Sequence, residues 1–197
     1  MLVTNIFASM QATSSGRKER THDRLLETAL DLFERHGFEE TKVAQIAQAA
    51  GVTEMTFFRH FAAKHAVLIG DPYDPVIVAA VAASPTGDPA LLRTVRGIRQ
   101  AWSDLPTFDE DVVRRRVRIV ARTPSLWGEM RAGTAATERL IAEQLVADGA
   151  DPLIAAVVSA AVLSGITAAL LDWAEQDDLP LREVVGRALE ALDPSNG

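Results

Sequence analysis

Apolar residues recur at steps of three and four along almost the entire chain, and this spacing constrains the fold more than any other feature. The segment that follows Thr21 is typical, with apolar side chains at Leu25, Leu26, Ala29, Leu30 and Phe33. Such spacing places side chains on one face of a helix. No segment shows the strict apolar and polar alternation of a half-buried strand. The sequence therefore predicts an all-α protein.

Proline and glycine divide this pattern into separate helices. The first helix is expected to begin at Thr21 and to end at Gly37 in the left-handed conformation. A helix that opens at Lys64 is expected to break near Pro72 or Pro75. Further helices are predicted at 88–103, 109–122, 125–147, 153–176 and 181–191. We expect a disordered tail at 1–16, a small helical domain at 17–66 and a larger helical domain at 67–197.

Residues 152–171 contain no charged side chain, and a helix of twenty such residues is long enough to span a membrane. Alanine dominates the segment, and polar or small residues such as Ser159, Ser164 and Gly165 interrupt it. Acidic residues flank both ends of the segment, whereas the positive-inside rule leads us to expect Lys or Arg beside a membrane span. We therefore expect a buried helix and no membrane contact, and a membrane anchor is the alternative.

Composition excludes several kinds of site. The chain has no cysteine, so disulfides, thiol nucleophiles and cysteine–zinc sites are ruled out, and a reducing cytoplasm is the expected location. The net charge is −7, yet the residues through Lys64 carry eight basic and eight acidic side chains. The acidity therefore belongs to the larger domain. No nucleophile–base pair, carboxylate dyad or metal-ligand set stands out, so we expect neither an enzyme nor a cofactor nor a bound metal.

Two short helical patterns meet at Ala50-Gly51-Val52, and this arrangement is typical of a helix-turn-helix. Small residues at Ala47 and Ala50 let the two helices cross closely, and Gly51 permits a positive φ. The helix that Thr53 caps is then the recognition helix, whose first residues enter the major groove of DNA.

The block TKVAQIAQAAGVTEMTFFRHFAAKHAVL, which follows a helix ending in LFERHGFEET, resembles the DNA-binding domain of TetR-family transcriptional regulators. The resemblance covers roughly residues 20–69 and implies a double-stranded DNA partner. It also implies that the rest of the chain is a helical domain that binds a small-molecule effector and forms a homodimer. The fold class that it implies is a three-helix helix-turn-helix domain followed by a larger helical domain.

The resemblance also assigns the residues of the DNA interface. Phe58 falls on the position of a tyrosine that contacts the DNA backbone, His60 on a histidine near a phosphate, and Lys64 on a lysine that opens helix four. The full set expected to contact DNA is Lys42, Thr53, Glu54, Met55, Thr56, Phe58, His60 and Lys64. Arg17, Lys18 and Arg20 can add backbone contacts or can form only a solubilising tail.

The chain departs from the family pattern at several of these positions. Phe58 lacks the phenolic hydroxyl, so an apolar contact with a thymine methyl, or a plain core position, are both open. Glu54 can accept a hydrogen bond from a cytosine amino group. Met55 replaces a residue that is often small. His22 and His36 are expected to be solvated.

In the larger domain, four arginines of the 109–122 helix are expected to form a solvated face, with helical ion pairs Glu110–Arg114 and Asp111–Arg115. Arg116 lies instead within the apolar face and needs an acidic partner or an anionic ligand. The residues expected to line an effector cavity are Trp102, Phe108, Arg116, Trp127, Met130 and Trp173. The aromatic residues and Met130 are more often core residues than ligand contacts when each is taken alone.

A weaker resemblance links the larger domain to a subgroup of regulators related to the mycofactocin-system regulator. Its cues are the RRRVRIV helix, a proline-started helix after it and a tryptophan near the end of the long apolar helix. This resemblance implies a small apolar or amphipathic effector, such as an acyl-CoA-like anion.

The long apolar helix also carries small residues at four-residue spacing, namely Ala160, Ala161, Ser164, Gly165, Ala168 and Ala169. Such faces let helices approach closely. We expect a dimer interface formed by the helix near 153–176 together with that near 125–147 or 181–191. The resemblance to TetR-family regulators thus implies a cytoplasmic, ligand-responsive repressor that binds a palindromic operator and is released by its effector.

Overall fold

The computed structural model describes residues 16–69, 74–105, 108–176 and 179–193. Within these ranges the chain is helical and contains no strand. The helices are α1 (Arg17–His36), α2 (Val43–Ala49), α3 (Glu54–His60), α4 (Asp74–Ala83), α5 (Ala90–Ser103), α6 (Glu110–Ala121), α7 (Trp127–Ala147), α8 (Pro152–Glu175) and α9 (Leu181–Ala191). Short 3-10 helices at Lys64–Val67 and Pro124–Leu126 precede α4 and α7. The predicted all-α fold class is confirmed.

The first helix begins earlier than predicted. It starts at Arg17, and the side chain of Glu19 accepts a hydrogen bond from the backbone N of Gly16 at 2.6 Å. Thr21 is therefore an interior residue of α1 and not its cap. The predicted end is correct, because Gly37 has φ 85° and its N–H donates to the carbonyl of Phe33. Of the predicted tail at 1–16, all but Gly16 lies outside the described residues.

The segment that opens at Lys64 is also different from the prediction. Lys64 begins a single 3-10 turn, and the α-helical part begins at Asp74. Pro72 lies outside the described residues, and Pro75 lies in the first turn of α4, where a missing N–H is tolerated. The predicted boundary at residue 66 falls within the 3-10 turn.

The larger domain is built around α8, which packs against α5, α6, α7 and α9. Asp151 caps this helix by accepting from the backbone N–H groups of Leu153 and Ile154. One side of α8 is buried, including Ala155, Val162 and Ile166. By length and hydropathy this helix could cross a membrane, and 39% of its most apolar window is buried inside the protein. The predicted position of α8 as a helix packed within the protein agrees with these contacts.

Two glycines mark close approaches between helices. A Cβ on Gly97 of α5 would lie 2.7 Å from the Cα of Val81, so α4 and α5 touch backbone to backbone there. A Cβ on Gly165 of α8 would lie 3.1 Å from Cδ1 of Leu192. A Cβ at Gly165 would therefore meet the residue that follows α9 in the same chain, and the dimer interface expected on α8 stays a prediction.

Candidate nucleic-acid interface

The turn between α2 and α3 holds the recognition helix at a defined angle. Gly51 has φ 65°, its N–H donates to the carbonyl of Gln48 at 3.0 Å, and Val52 N–H donates to that of Ala47 at 2.9 Å. This pair of bonds is the Schellman arrangement that ends a helix with a left-handed residue. Ala47 and Ala50 are buried in the crossing. The turn chemistry predicted from the sequence is therefore present.

The N-terminus of α3 is capped by Thr53. Its Oγ1 accepts from Thr56 N at 3.2 Å, and the two threonine hydroxyls lie 3.0 Å apart. Such a cap stabilises a helix by about 1 kcal/mol. Both predicted DNA-contacting threonines thus also hold the first turn of the helix in shape.

The faces of α3 divide sharply by exposure. Phe57 is completely buried, whereas Met55 is 80% and Phe58 51% exposed. Glu54 and Arg59 are exposed as well. The ring of Phe58 meets that of Phe57 edge-on at 5.5 Å between centroids. Of the two alternatives for Phe58, the plain core position is excluded.

Two histidines meet where α1 faces the end of α3. The ring of His22 stacks on Phe61 at 4.6 Å and lies 5.9 Å from the ring of His60. Burial lowers the pKa of both histidines, and the positive charge of Arg116 lowers that of His22 further. His22 is half-buried, so the prediction that it is solvated was wrong. His60 is partly exposed at the end of α3, and its phosphate contact stays a prediction.

Lys64, which the sequence predicted to contact a DNA phosphate, makes hydrogen bonds within the protein. Its Nζ donates to the carbonyls of Phe38 at 2.6 Å, Thr41 at 3.0 Å and Glu39 at 3.3 Å, and it lies 4.1 Å above the centre of the Phe38 ring. An ammonium group has three donor hydrogens, and all three have acceptors here. Burial lowers the pKa of Lys64. This geometry gives the lysine the role of tying the loop after α1 to the end of the helix-turn-helix.

The remaining basic candidates lie at the surface. Lys42 is exposed at the start of α2, where its backbone N donates to Oε1 of Gln45 at 2.7 Å. Lys18 and Arg20 are exposed on α1, and the Arg17 side chain lies outside the described part of the chain. Arg59, an exposed basic residue in the last turn of α3, is not among the residues predicted from the sequence. A simple count could have found it, because no other Lys or Arg occurs between Lys42 and Lys64.

Contacts between the two domains involve an arginine that the sequence placed on a solvated face. Arg115 of α6 donates to carboxylates of three α1 residues, at 2.9 Å to Glu27, 2.6 Å to Asp31 and 2.8 Å to Glu34. These hydrogen bonds and charges raise the pKa of Arg115. The predicted helical pair Asp111–Arg115 is therefore replaced by an ion cluster that joins α6 to the DNA-binding domain.

The neighbouring arginines also have internal partners. Arg114 donates to the carbonyl of Trp173 at 3.0 Å and to that of Gln176, and its guanidinium lies 4.1 Å from the Trp173 ring centre. Arg118 Nε donates to Ala174 at 2.9 Å. Arg122 pairs with Glu175 at 2.7 Å. The prediction of a solvated face was wrong for Arg114 and Arg118, which are half-buried and secure the C-terminal end of α8, whereas Arg122 is exposed as predicted.

The predicted effector residues fall into separate places. Trp102 and Phe108 contact each other at 6.2 Å between ring centres. Arg116 is buried at the domain boundary, where Nη2 donates to the carbonyl of Leu68 at 3.3 Å and burial lowers its pKa to about 10. Met130 is half-buried in α7. Trp127 is 52% exposed at the start of α7, so the structure does not place it in an enclosed cavity.

Trp173 lines a cavity of about 360 Å³ between the ends of α8 and α9. Its Nε1 donates to the carbonyl of Leu179 at 2.9 Å. Polar side chains at the same cavity come from Asp172, Gln176 and Arg187. These three residues are not among those predicted from the sequence. Among the described residues, no group of three His, Asp or Glu side chains is placed to hold a metal ion.

Comparison with known proteins identifies the domains. The family described as bacterial regulatory proteins, tetR family, matches residues 25–69, and the MftR C-terminal domain family matches residues 90–196. The transcriptional regulator TcmR of Streptomyces glaucescens is 38% identical over 118 residues, which are 56% of this chain and 52% of TcmR. The match therefore spans about half the length of that relative. The putative mycofactocin biosynthesis transcriptional regulator MftR of Mycobacterium tuberculosis is 25% identical over 89% of this chain and 91% of its own.

Solved structures agree on the fold. A transcriptional regulator from Aquifex aeolicus VF5 superposes with a TM-score of 0.53 at 16% identity, covering 87% of this chain and 97% of its own. NalD, the secondary repressor of the MexAB-OprM multidrug efflux pump in Pseudomonas aeruginosa, gives a TM-score of 0.53 at 22% identity, covering 88% and 94%. These matched proteins are transcription regulators and not enzymes. The chain belongs to the TetR family of bacterial transcriptional regulators, with a helix-turn-helix DNA-binding domain followed by an MftR-type C-terminal domain.

Proposed function

We propose that this protein is a cytoplasmic, ligand-responsive repressor that binds a palindromic operator as a homodimer and is released by a small-molecule effector. The observation that carries the proposal is an exposed apolar stripe along α8, in a chain that presents one recognition helix. Two recognition helices related by a twofold axis would lie about 34–36 Å apart, one turn of DNA.

The α8 stripe follows one face of the helix for more than four turns. Its large residues are Leu153, 71% exposed, Ile154, 50% exposed, and Val157, 56% exposed. Small exposed residues continue it at Ala161, Ser164 and Ala168. Large contiguous apolar patches are rare on monomeric proteins and mark protein–protein contact sites. Since the other faces of α8 contact four helices of the same chain, we propose that a second copy covers this stripe.

The second helix of the proposed interface is either α7 or α9. Val146, near the end of α7, is exposed and adds to the apolar surface. The exposed residues of α9 include the charged side chains Arg182, Glu183 and Arg187. The apolar character of Val146 supports α7. On α9, Arg182 donates to the carbonyl of Leu105 and Arg187 pairs with Glu183, so these charges have partners within the chain.

Sedimentation of the purified protein tests the dimer. The unaltered chain is expected to sediment with twice the mass of one chain, and Val157→Asp is expected to sediment as a folded monomer with weakened operator binding. Ala79→Asp is the matched control, because it places the same charge on an exposed alanine of α4. A monomeric unaltered protein, or a dimeric Val157→Asp variant, would contradict the proposed interface.

For the effector we propose an apolar or amphipathic molecule, with an acyl-CoA thioester as the candidate. The contact between Trp102 and Phe108 and the cavity beside Trp173 support an apolar ligand, and the buried guanidinium of Arg116 supports an anionic one. The effector would act by favouring the conformation with weak DNA affinity. A loss of one to two powers of ten in operator affinity corresponds to about 1.4–2.8 kcal/mol of coupling.

Operator binding measured with and without effector tests this part. A long-chain acyl-CoA is expected to release the operator duplex, while free coenzyme A and the free fatty acid serve as controls for the two halves of the molecule. An unchanged operator affinity at saturating acyl-CoA would refute the thioester as effector. Release by the free fatty acid alone would show that an acyl chain with a carboxylate is sufficient and that the coenzyme A moiety is not required.

A further inference from the structure

We infer that Met55 and Phe58 form an apolar reading pair that recognises thymine methyl groups in the major groove of the operator. The inference rests on the proposed function and specifies how its DNA-binding site selects sequence. Within residues 16–69, Met55 and Phe58 are the large apolar side chains that the structure leaves exposed. Both belong to α3, the recognition helix.

The two side chains act as one surface because of helix geometry. Residues three apart lie on the same helix face, with about 5–6 Å between their Cβ atoms. The buried ring of Phe57 supports Phe58 from below through an edge-on contact at 5.5 Å. The rigid N-terminal turn, held by Thr53 and Thr56, fixes the position of Met55. The pair is therefore presented outward on an ordered support.

The chemistry of the major groove determines what this pair can recognise. The base edges present hydrogen-bond donors and acceptors, and the thymine C5 methyl is the apolar group among them. A thioether and a phenyl ring placed over a cytosine amino group or a guanine carbonyl would remove water without replacing its hydrogen bonds. Contact with a methyl avoids this cost and gains apolar burial.

Polar residues next to the apolar pair have contacts or charges suited to other roles than the recognition of thymine methyls. The hydroxyls of Thr53 and Thr56 are hydrogen-bonded to each other. Arg59 is exposed in the last turn of α3, and we assign it a phosphate contact, which carries no information on base identity. Recognition of thymine methyls and general affinity are thus assigned to different side chains of one short helix, beside the exposed Glu54, which can accept from a cytosine amino group.

The experiment begins with selection of operator duplexes from a random-sequence library by the full-length protein. Each thymine of a selected half-site is then replaced by deoxyuridine, which deletes only the methyl group. One or two positions per half-site are expected to weaken binding about fourfold, since one methyl corresponds to about 0.8 kcal/mol. Replacement in both half-sites is expected to weaken binding by about the square of that factor.

Variants then assign the effect to the pair. Met55→Ala and Phe58→Ala are expected to bind thymine and deoxyuridine duplexes equally at the affected positions. Met55→Ala should leave the unfolding temperature unchanged because its side chain is 80% exposed, whereas Phe58→Ala also removes the ring contact with Phe57 and should lower the unfolding temperature slightly. Arg59→Ala is the matched control on the same helix. It should weaken binding to the thymine and deoxyuridine duplexes by the same factor and so keep the preference for thymine.

Each outcome distinguishes the inference from the proposed function. Selected duplexes that bind equally with deoxyuridine at every position overturn the inference and leave the repressor intact. A thymine preference that survives in both alanine variants overturns it as well. If no duplex is selected although the protein is folded and dimeric, the proposed operator binding fails, and the reading pair fails with it.

Discussion

Replacement of Arg115 by alanine is expected to weaken the contact between the two domains, because this side chain joins α6 to three acidic residues of α1. The carboxylates are between 41% and 51% exposed, so each pair lies at the surface end of the range, about 0.2–1 kcal/mol. Three pairs together amount to about 1–2 kcal/mol. For a chain of this size that loss lowers the unfolding temperature by about 2–8 °C.

The variant also leaves three like charges on one face of α1. Glu27, Asp31 and Glu34 are spaced by four and three residues, and like charges at such spacing repel by a few tenths of a kcal/mol. The measurement is urea unfolding of the unaltered protein and the variant at low salt and at about 1 M salt, where the Debye length is about 3 Å. The difference in free energy of unfolding should shrink at high salt.

Two comparisons make this reasoning refutable. Arg131→Ala removes an exposed arginine from α7 and should change stability little. A double-mutant cycle of Arg115→Ala with Asp31→Asn should show a positive coupling energy that falls with salt. If Arg115→Ala behaves like Arg131→Ala, or if the coupling is zero at low salt, the ion cluster does not join the domains.

Three further predictions concern stability. Gly97→Ala would place its Cβ 2.7 Å from the backbone of Val81 and should destabilise the protein by about 1–3 kcal/mol in urea unfolding. The control Gly128→Ala meets open space in a helix and should stabilise the protein by about 0.5–1 kcal/mol. Equal effects of the two substitutions would contradict the close approach at Gly97. Lys64→Met should lower the free energy of unfolding by about 1.5–3 kcal/mol, because it removes charged hydrogen bonds to loop carbonyls. If Lys64 only contacted phosphate, the substitution would lower operator affinity and leave the free energy of unfolding unchanged. Burial lowers the folded-state pKa of His22, so the unfolded state binds more protons, and stability should fall as the pH drops below the ordinary value of 6.5. His22→Phe should flatten that fall, and an unchanged slope across the same pH range would exclude this cause.

The helix-turn-helix was predictable because its signals lie within a few residues of one another. The apolar spacing of α1, the glycine after it and the Ala50-Gly51-Val52 turn each act through local backbone geometry, and the structure shows both positive φ values. The same is true of the helix bounds in the larger domain, where the predicted 181–191 and the observed Leu181–Ala191 coincide. Helix bounds could be predicted from nearby residues wherever a proline, a glycine or a capping residue ends the helix.

The partners of charged side chains were not predictable in this way. Arg115 could be read as a helical partner of Asp111, since those residues are four apart, but the helix crossing brings it to α1, more than eighty residues away in the chain. Lys64 resembles a phosphate-binding residue by position, and the fold turns it inward onto three carbonyls. Arg114 contacts Trp173 for the same reason, because α6 lies against the end of α8.

The sequence by itself determined the helical class, the helix-turn-helix and the membership of its residues in one recognition helix, because periodicity and turn chemistry act over short stretches of chain. Only the tertiary structure decided which faces remain outside. Ala161 and Gly165 belong to one small-residue pattern, yet the first is exposed and the second packs on Leu192. Met55 and Phe57 are two apolar residues of one helix, yet one is exposed and the other buried. Exposure depends on which neighbouring helix covers a face, and that follows from how helices distant in sequence cross one another.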